Sequence, residues 1–251
     1  MRFLFFICIS TLFISCNFSQ EQKTKLIKLD SYSIGKKVKE PSGLAFDGEF
    51  LYTVSDNKSY VYKYSTNGKF IERFNTNLSN LEGISSFGKN TLLLAVETTN
   101  TLVSYNYKDK TSVNHKMKFK HRDKSGNSGI EGVTYDPKNN RIYFLNEKNP
   151  GALITCNSNS FKVSNELKLE IANDYSGIFY VSDTNELWIT SDKESLIYRC
   201  SIIGEVIEVI DPKISKKDKL EGIALDYNNN LLFLVTDAGQ KLIKYKIKLN
   251  N

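Results

Sequence analysis

The chain has 251 residues, a net charge of +6, 40% hydrophobic residues and 25% charged residues. That hydrophobic share is enough to pack a core and excludes global disorder, and lysines interspersed with acids leave no basic stripe of the kind a nucleic-acid binder carries. The 14 Tyr and 15 Phe residues, with the β-branched residues, favour strands.

Residues 1–16 read MRFLFFICISTLFISC. Arg2 is a positive start and residues 3–14 are apolar, too short a run for the roughly 20 residues of a membrane span. It reads as an export signal. Its end, Phe13-Ile14-Ser15-Cys16, resembles a lipobox, with Phe13 at the usual leucine position and small Ser15 before the cysteine. The predicted organisation is a lipoprotein signal peptide at 1–15, lipidated Cys16 with a polar tether at 16–23, and a folded domain at 24–251. A plain secretory signal cut near Ser19 is the alternative. The expected location is the cell envelope, on the periplasmic side or at the outer membrane, held to the membrane by lipid.

After residues 26–32 (LIKLDSY), which read as a lone strand, one motif recurs: a small or acidic residue, Gly, an aliphatic residue and a short strand. It appears as Ser42-Gly43-Leu44, Glu82-Gly83-Ile84, Glu131-Gly132-Val133, Ser176-Gly177-Ile178 and Glu221-Gly222-Ile223, with glycine steps of 40, 49, 45 and 45 residues. A hydrophobic strand then ends on an acid: LYTVSD at Asp56, LLLAVE at Glu97, IYFLNE at Glu147, LWITSD at Asp192 and LFLVTD at Asp237. A third strand follows, and in four copies a fourth. This period is that of a four-stranded propeller blade. The predicted fold is all-β, a five-bladed β-propeller. The last copy stops at its third strand, so residues 26–32 are expected to pair with 241–248 and close the ring. Six blades is the alternative, disfavoured because about 230 mature residues at about 45 per blade make five.

The first strand of each blade lines a propeller's channel, so equivalent residues form rings. One ring holds Ser42, Glu82, Glu131, Ser176 and Glu221; another holds Asp56, Glu97, Glu147, Asp192 and Asp237. The second ring reads as fasteners that accept backbone hydrogen bonds between blades. Glutamates facing each other in the first ring repel and raise one another's pKa unless a cation compensates. Oxygen donors without His or Cys suit a hard cation, so Ca²⁺ near Glu82, Glu131 and Glu221 is expected, with solvated acids or polar partners as the alternative.

Taken together, Ser42-Gly43-Leu44, Leu81-Glu82-Gly83, Ile130-Glu131-Gly132-Val133, Asn146-Glu147-Lys148-Asn149-Pro150 and Leu220-Glu221-Gly222-Ile223-Ala224 resemble the SdiA-regulated family. Its members are bacterial envelope proteins distantly similar to NHL-repeat propellers. The resemblance spans about residues 38–248 and implies five blades and a Ca²⁺ site. That site maps by motif to Glu82, Glu131 and Glu221, with Glu147 second, while Ser42 and Ser176 break the five-fold ring. It implies no particular activity.

Two functional classes follow. One is a Ca²⁺-stabilised binding or scaffold module, a monomer that recognises a protein or glycan through a face of the disc and does not bind nucleic acid. The other is a Ca²⁺-dependent lactonase-like or esterase-like hydrolase. Only His115 and His121 could supply an imidazole base, and both fall in a lysine-rich segment, 107–129, that reads as an exposed insertion. Cys156 and Cys200 occupy similar places in successive repeats and read as buried free thiols in preference to a disulfide.

Overall fold

The computed structural model describes residues 23–122 and 129–249. The expected export signal, Cys16 and most of the expected tether lie outside them. Twenty strands run in chain order from β1 (Thr24–Ser33) to β20 (Lys241–Leu249). They form five four-stranded antiparallel sheets. Blade 1 comprises β2 (Pro41–Phe46), β3 (Phe50–Ser55), β4 (Lys58–Ser65) and β5 (Phe70–Asn75). Blade 2 comprises β6 (Leu81–Ser86), β7 (Thr91–Val96), β8 (Thr101–Asn106) and β9 (Thr111–Lys116). Blade 3 comprises β10 (Ile130–Asp136), β11 (Arg141–Asn146), β12 (Ala152–Asn157) and β13 (Val163–Lys168). Blade 4 comprises β14 (Ile178–Val181), β15 (Glu186–Ser191), β16 (Leu196–Ser201) and β17 (Val206–Ile210). Blade 5 combines β18 (Leu220–Asp226), β19 (Leu231–Thr236) and β20 with β1 as its outer strand. The inner strands touch in the closed order β2–β6–β10–β14–β18–β2, which makes the architecture a five-bladed propeller.

The patterning explains the layers. Second strands such as LLLAV of β7 and LFLVT of β19 are buried on both sides, because each sheet packs between two neighbours, so they are apolar without alternation. Outer strands such as β13 are largely polar and exposed. The core is a series of inter-blade layers. One joins Leu93 and Leu102 of blade 2 to Phe144 and Ile154 of blade 3. The next joins Tyr143 and Leu153 of blade 3 to Leu187 and Ile189 of blade 4. Cys156 lies in the former layer and Cys200 in the latter, so the third sheet separates the two thiols, and both are free.

Ring closure rests on the repeated glycines. A Cβ on Gly83 would stand 2.2 Å from the carbonyl oxygen of Glu131, and one on Gly222 would stand 2.5 Å from the backbone of Gly43. The inner strands therefore approach backbone to backbone, which only glycine permits. Strand β1 pairs with β20 from Thr24↔Leu249 to Ser33↔Lys241. At its start Thr24 is locked to blade 4: its amide and hydroxyl each donate to Glu208 at 2.7 Å, and Arg199 reaches Glu208 at 2.8 Å.

The 107–129 segment departs from expectation. Residues 111–116 are β9, the fourth strand of blade 2, and Met117 and Phe119 are buried in the layer against blade 3. Neither histidine is freely exposed. His115 stacks on Phe161 with ring centroids 3.4 Å apart, and His121 Nδ1 lies 3.1 Å from Glu166. Two apolar side chains in a lysine-rich run are core because the long link to blade 3 must cover the sheet it crosses.

Candidate functional site

Each inner strand is irregular where its acid sits. The ladder slips between Leu81 and Gly83, between Ile130 and Val133, and between Leu220 and Gly222. Glu82, Glu131 and Glu221 are therefore the extra residues of β-bulges, which turn a side chain out of the regular ladder. In the two blades with serine, a threonine of the second strand ties the same place down. Thr53 Oγ1 donates to the carbonyl oxygen of Gly43 at 2.8 Å, and the amide of Gly177 donates to Thr190 Oγ1 at 2.7 Å.

The bulges open into a cavity of about 370 Å³ at the end of the channel where the inner strands begin. Glu40, Asp56, Glu82, Glu131, Glu147, Asp174, Asp192, Glu221 and Asp237 line it, with Lys219 as the cation in the lining. All four predicted ligands, Glu82, Glu131, Glu221 and Glu147, thus share one space. The tightest grouping differs from the predicted set. Carboxylate oxygens of Glu97, Glu131 and Glu147 all lie within 4.8 Å of one another. Glu82 instead accepts a hydrogen bond from Ser42 Oγ at 2.6 Å. Glu221 joins the common cavity but not the three-acid cluster.

The fastening expected of the second-ring carboxylates is seen at Glu97, whose carboxylate accepts from the backbone of Gly129, whereas at Asp56 and Glu147 the main chain makes the link. The amide of Asp56 donates to the Glu40 carbonyl, and the Asp56 carbonyl accepts from Asn80 of the next blade's entry. Glu147 repeats this with Gly129 and Tyr175. The Asp56 and Glu147 side chains line the cavity. Asp174, in the link before blade 4, acts as a side-chain fastener, accepting from Ser191 Oγ at 2.5 Å. Lys148 pairs with Glu147, and Lys219 Nζ lies 3.5 Å from Asp237.

Electrostatics follow from this crowding. Burial, then the charges of Glu82, Glu221, Glu147 and Glu97, holds the Glu131 carboxyl well above the ordinary carboxylate range. Burial and the charges of Asp192, Glu82 and Asp237 do the same at Glu221, against a smaller pull from Lys219. Glu82 is pushed up to about 8, chiefly by burial, although its bond from Ser42 opposes the change. Glu97 is raised by burial and then by Glu147. All four residues are half-buried; Glu82, Glu131 and Glu221 line the cavity, and Glu97 reaches the cluster from outside that lining. Burial and mutual repulsion both favour the protonated form of these acids.

Among the described residues the donor set is carboxylate oxygen with the hydroxyls of Ser42, Tyr175 and Ser176, and no His or Cys lines the cavity. Ca²⁺ takes six to eight oxygens at about 2.3–2.6 Å, so opposite ligands of one ion stand about 5 Å apart. The spacing of Glu97, Glu131 and Glu147 fits a single such sphere.

The chain belongs to the SdiA-regulated family. The family's sequence profile matches residues 19–170. No curated protein matches the chain. Among solved structures, this SdiA-regulated protein is similar to the glutaminyl cyclase of Myxococcus xanthus, with 12% identity and a TM-score of 0.69 over 92% of this chain and 100% of that one. It is also similar to a chain of a nidogen/laminin complex, with 12% identity and a TM-score of 0.55 over 83% of this chain and 80% of that one. At such identity the likeness is one of fold.

Glu97 is the cluster member that motif reasoning left out of the ligand set. It stands at the start of a 3-10 turn, Glu97–Thr99, and that turn touches β10, the strand of Glu131. The available signal was its place in the second ring beside the longest repeat step.

Proposed function

We propose that the acidic cavity binds Ca²⁺ and that the protein is a lipid-anchored envelope module whose binding face is organised by that ion. The convergence of Glu97, Glu131 and Glu147 carries the reading. Glu131 and Glu147 are the two ligands shared with the set expected from the motifs, and Glu97 completes the cluster. Ca²⁺ would supply charge compensation for the buried acids. The chain's own residues do the rest: the bulges aim the carboxylates, Ser42 orients Glu82, and Lys219 holds Asp237 at the mouth. Cys16 would attach the chain to the membrane through the tether.

A thermal melt tests this reading. Ca²⁺ at a hundred times its Kd should stabilise the fold by about 2.7 kcal/mol relative to EDTA, while Mg²⁺ at equal concentration should do much less. An unchanged melting temperature at millimolar Ca²⁺ contradicts the proposal.

The hydrolase reading draws support from Glu82, whose pKa near 8 suits proton transfer at neutral pH. Neither histidine lines the cavity, so a base there would be a carboxylate. Ca²⁺-dependent turnover of lactones or aryl esters that Glu82→Gln abolishes would establish this reading in place of the scaffold one.

A further inference from the structure

The two faces of the disc differ. Inner strands begin at the acidic cavity and end at the opposite face, around an apolar hollow of about 310 Å³ that includes Phe46, Tyr135 and Phe179. Strand direction places the start of β1 on this second face. Thr24 pairs with Leu249 at the end of β20, and β20 pairs along β19, which starts where β18 ends. The tether therefore joins the domain at the rim of the apolar-mouth face. Thr24 is held there by Glu208 of β17, so the point of entry is fixed with respect to blade 4.

Beside that point lie exposed apolar side chains. Ile203, in the turn before β17, is 56% exposed, and Val206, two residues from Glu208, is 41% exposed. On the other side of β1, Lys25 stands directly opposite Lys248 in the ladder, and Lys246 of β20 donates to the Asn229 carbonyl. Lys25 and Lys248 are exposed, and like charges placed opposite each other favour an anionic partner. Arg199 is shared by Glu186 and Glu208, which it meets at 3.0 and 2.8 Å, and Glu205 is the acid in the turn of Ile203, so the positive charge of this rim lies on the Lys25–Lys248 side.

We propose that this rim docks on an anionic phospholipid bilayer, with Ile203 and Val206 entering the headgroup boundary and Lys25 and Lys248 meeting lipid phosphates. The proposal rests on the lipid-anchor reading for its strength. A tether of seven residues, 17–23, spans at most about 25 Å, so it keeps the rim at high effective concentration beside the membrane and a weak contact suffices. The acidic cavity then opens away from the membrane, toward whatever it serves.

The full chain, lipidated and reconstituted in phosphatidylglycerol–phosphatidylethanolamine vesicles, tests the docking. Cys156 and Cys200 are buried, so a dye added to the native protein reports an introduced cysteine. Dye on Ile203→Cys should be blue-shifted and strongly quenched by spin-labelled lipid. Dye on Lys193→Cys, in the turn at the acidic mouth, should show neither effect. Combining Lys25→Glu with Lys248→Glu should reduce quenching at position 203 at least about threefold in anionic vesicles and leave it unchanged in purely zwitterionic ones. Equal quenching at the two positions, or none at position 203, overturns the proposal. A Cys16→Ser chain separates the two readings: undiminished membrane recovery refutes the lipid anchor, and the dye at position 203 then decides the docking face by itself.

Discussion

Removing Ca²⁺ should invert the usual acid sensitivity of the fold. The folded chain holds a proton on Glu82 up to about pH 8, whereas the unfolded chain releases it near the ordinary value of 4.5. The folded pKa is the higher one, so this stability is fully present below about pH 4.5 and is lost as pH rises toward 8. At about 1.4 kcal/mol per pH unit the window is worth about 5 kcal/mol as an upper bound. Lumen water screens the charge and neighbouring acids share the titration, so we expect about 2–3 kcal/mol. For a domain of this size that is a fall in Tm of roughly 5–10 °C. The assay is a series of thermal melts in EDTA from pH 5 to pH 8.5. Glu82→Gln should flatten the profile and raise Tm at pH 8.5, and saturating Ca²⁺ should restore stability to the wild type at high pH. A Tm in EDTA that stays level or rises over this range refutes the reasoning.

Three further outcomes follow from the packing. Gly83→Ala places a Cβ against the Glu131 carbonyl and should cost about 3 kcal/mol or more in urea unfolding; a loss below about 1 kcal/mol would show that the inner ring can expand. Cys156 and Cys200 are buried, with thiols pushed up to about 12, so neither should react with a thiol reagent in the native state and both should react in denaturant; prompt native labelling contradicts the inter-blade placement. Arg199→Met removes the ion pairs to Glu186 at 3.0 Å and Glu208 at 2.8 Å, and should cost about 1–3 kcal/mol while speeding hydrogen exchange in β1 ahead of the other strands; uniform exchange would show that the Thr24 latch does not hold the closing strand.

The fold was legible because its constraints repeat. Each glycine marks a backbone contact at the axis, each second strand must be apolar on both faces, and the unpaired residues 26–32 matched the missing strand of blade 5. The site was legible only in part. Glu131 and Glu147 belong to the tightest cluster, but Glu82 is engaged by Ser42 and Glu221 lies outside that cluster. Spacing along the chain fixes which ring an acid joins. It does not fix which carboxylates turn toward one another, because that depends on bulge geometry and on the 3-10 turn at Glu97. The 107–129 segment misled for a related reason. Its lysines dominate the composition, whereas the large side chains buried among its described residues are Met117 and Phe119.

In the proposed arrangement Glu131 anchors a Ca²⁺ site at the head of the channel. Calorimetric titration of Ca²⁺ into the metal-free protein, beside Glu131→Gln, tests it most directly. We predict one site with a Kd on the order of micromolar in the wild type, weakened at least about tenfold in the variant while its fold is retained. Equal binding in the two proteins, or no binding at millimolar Ca²⁺, would contradict the account and leave the acids as proton-sharing residues of a cavity with no resident metal.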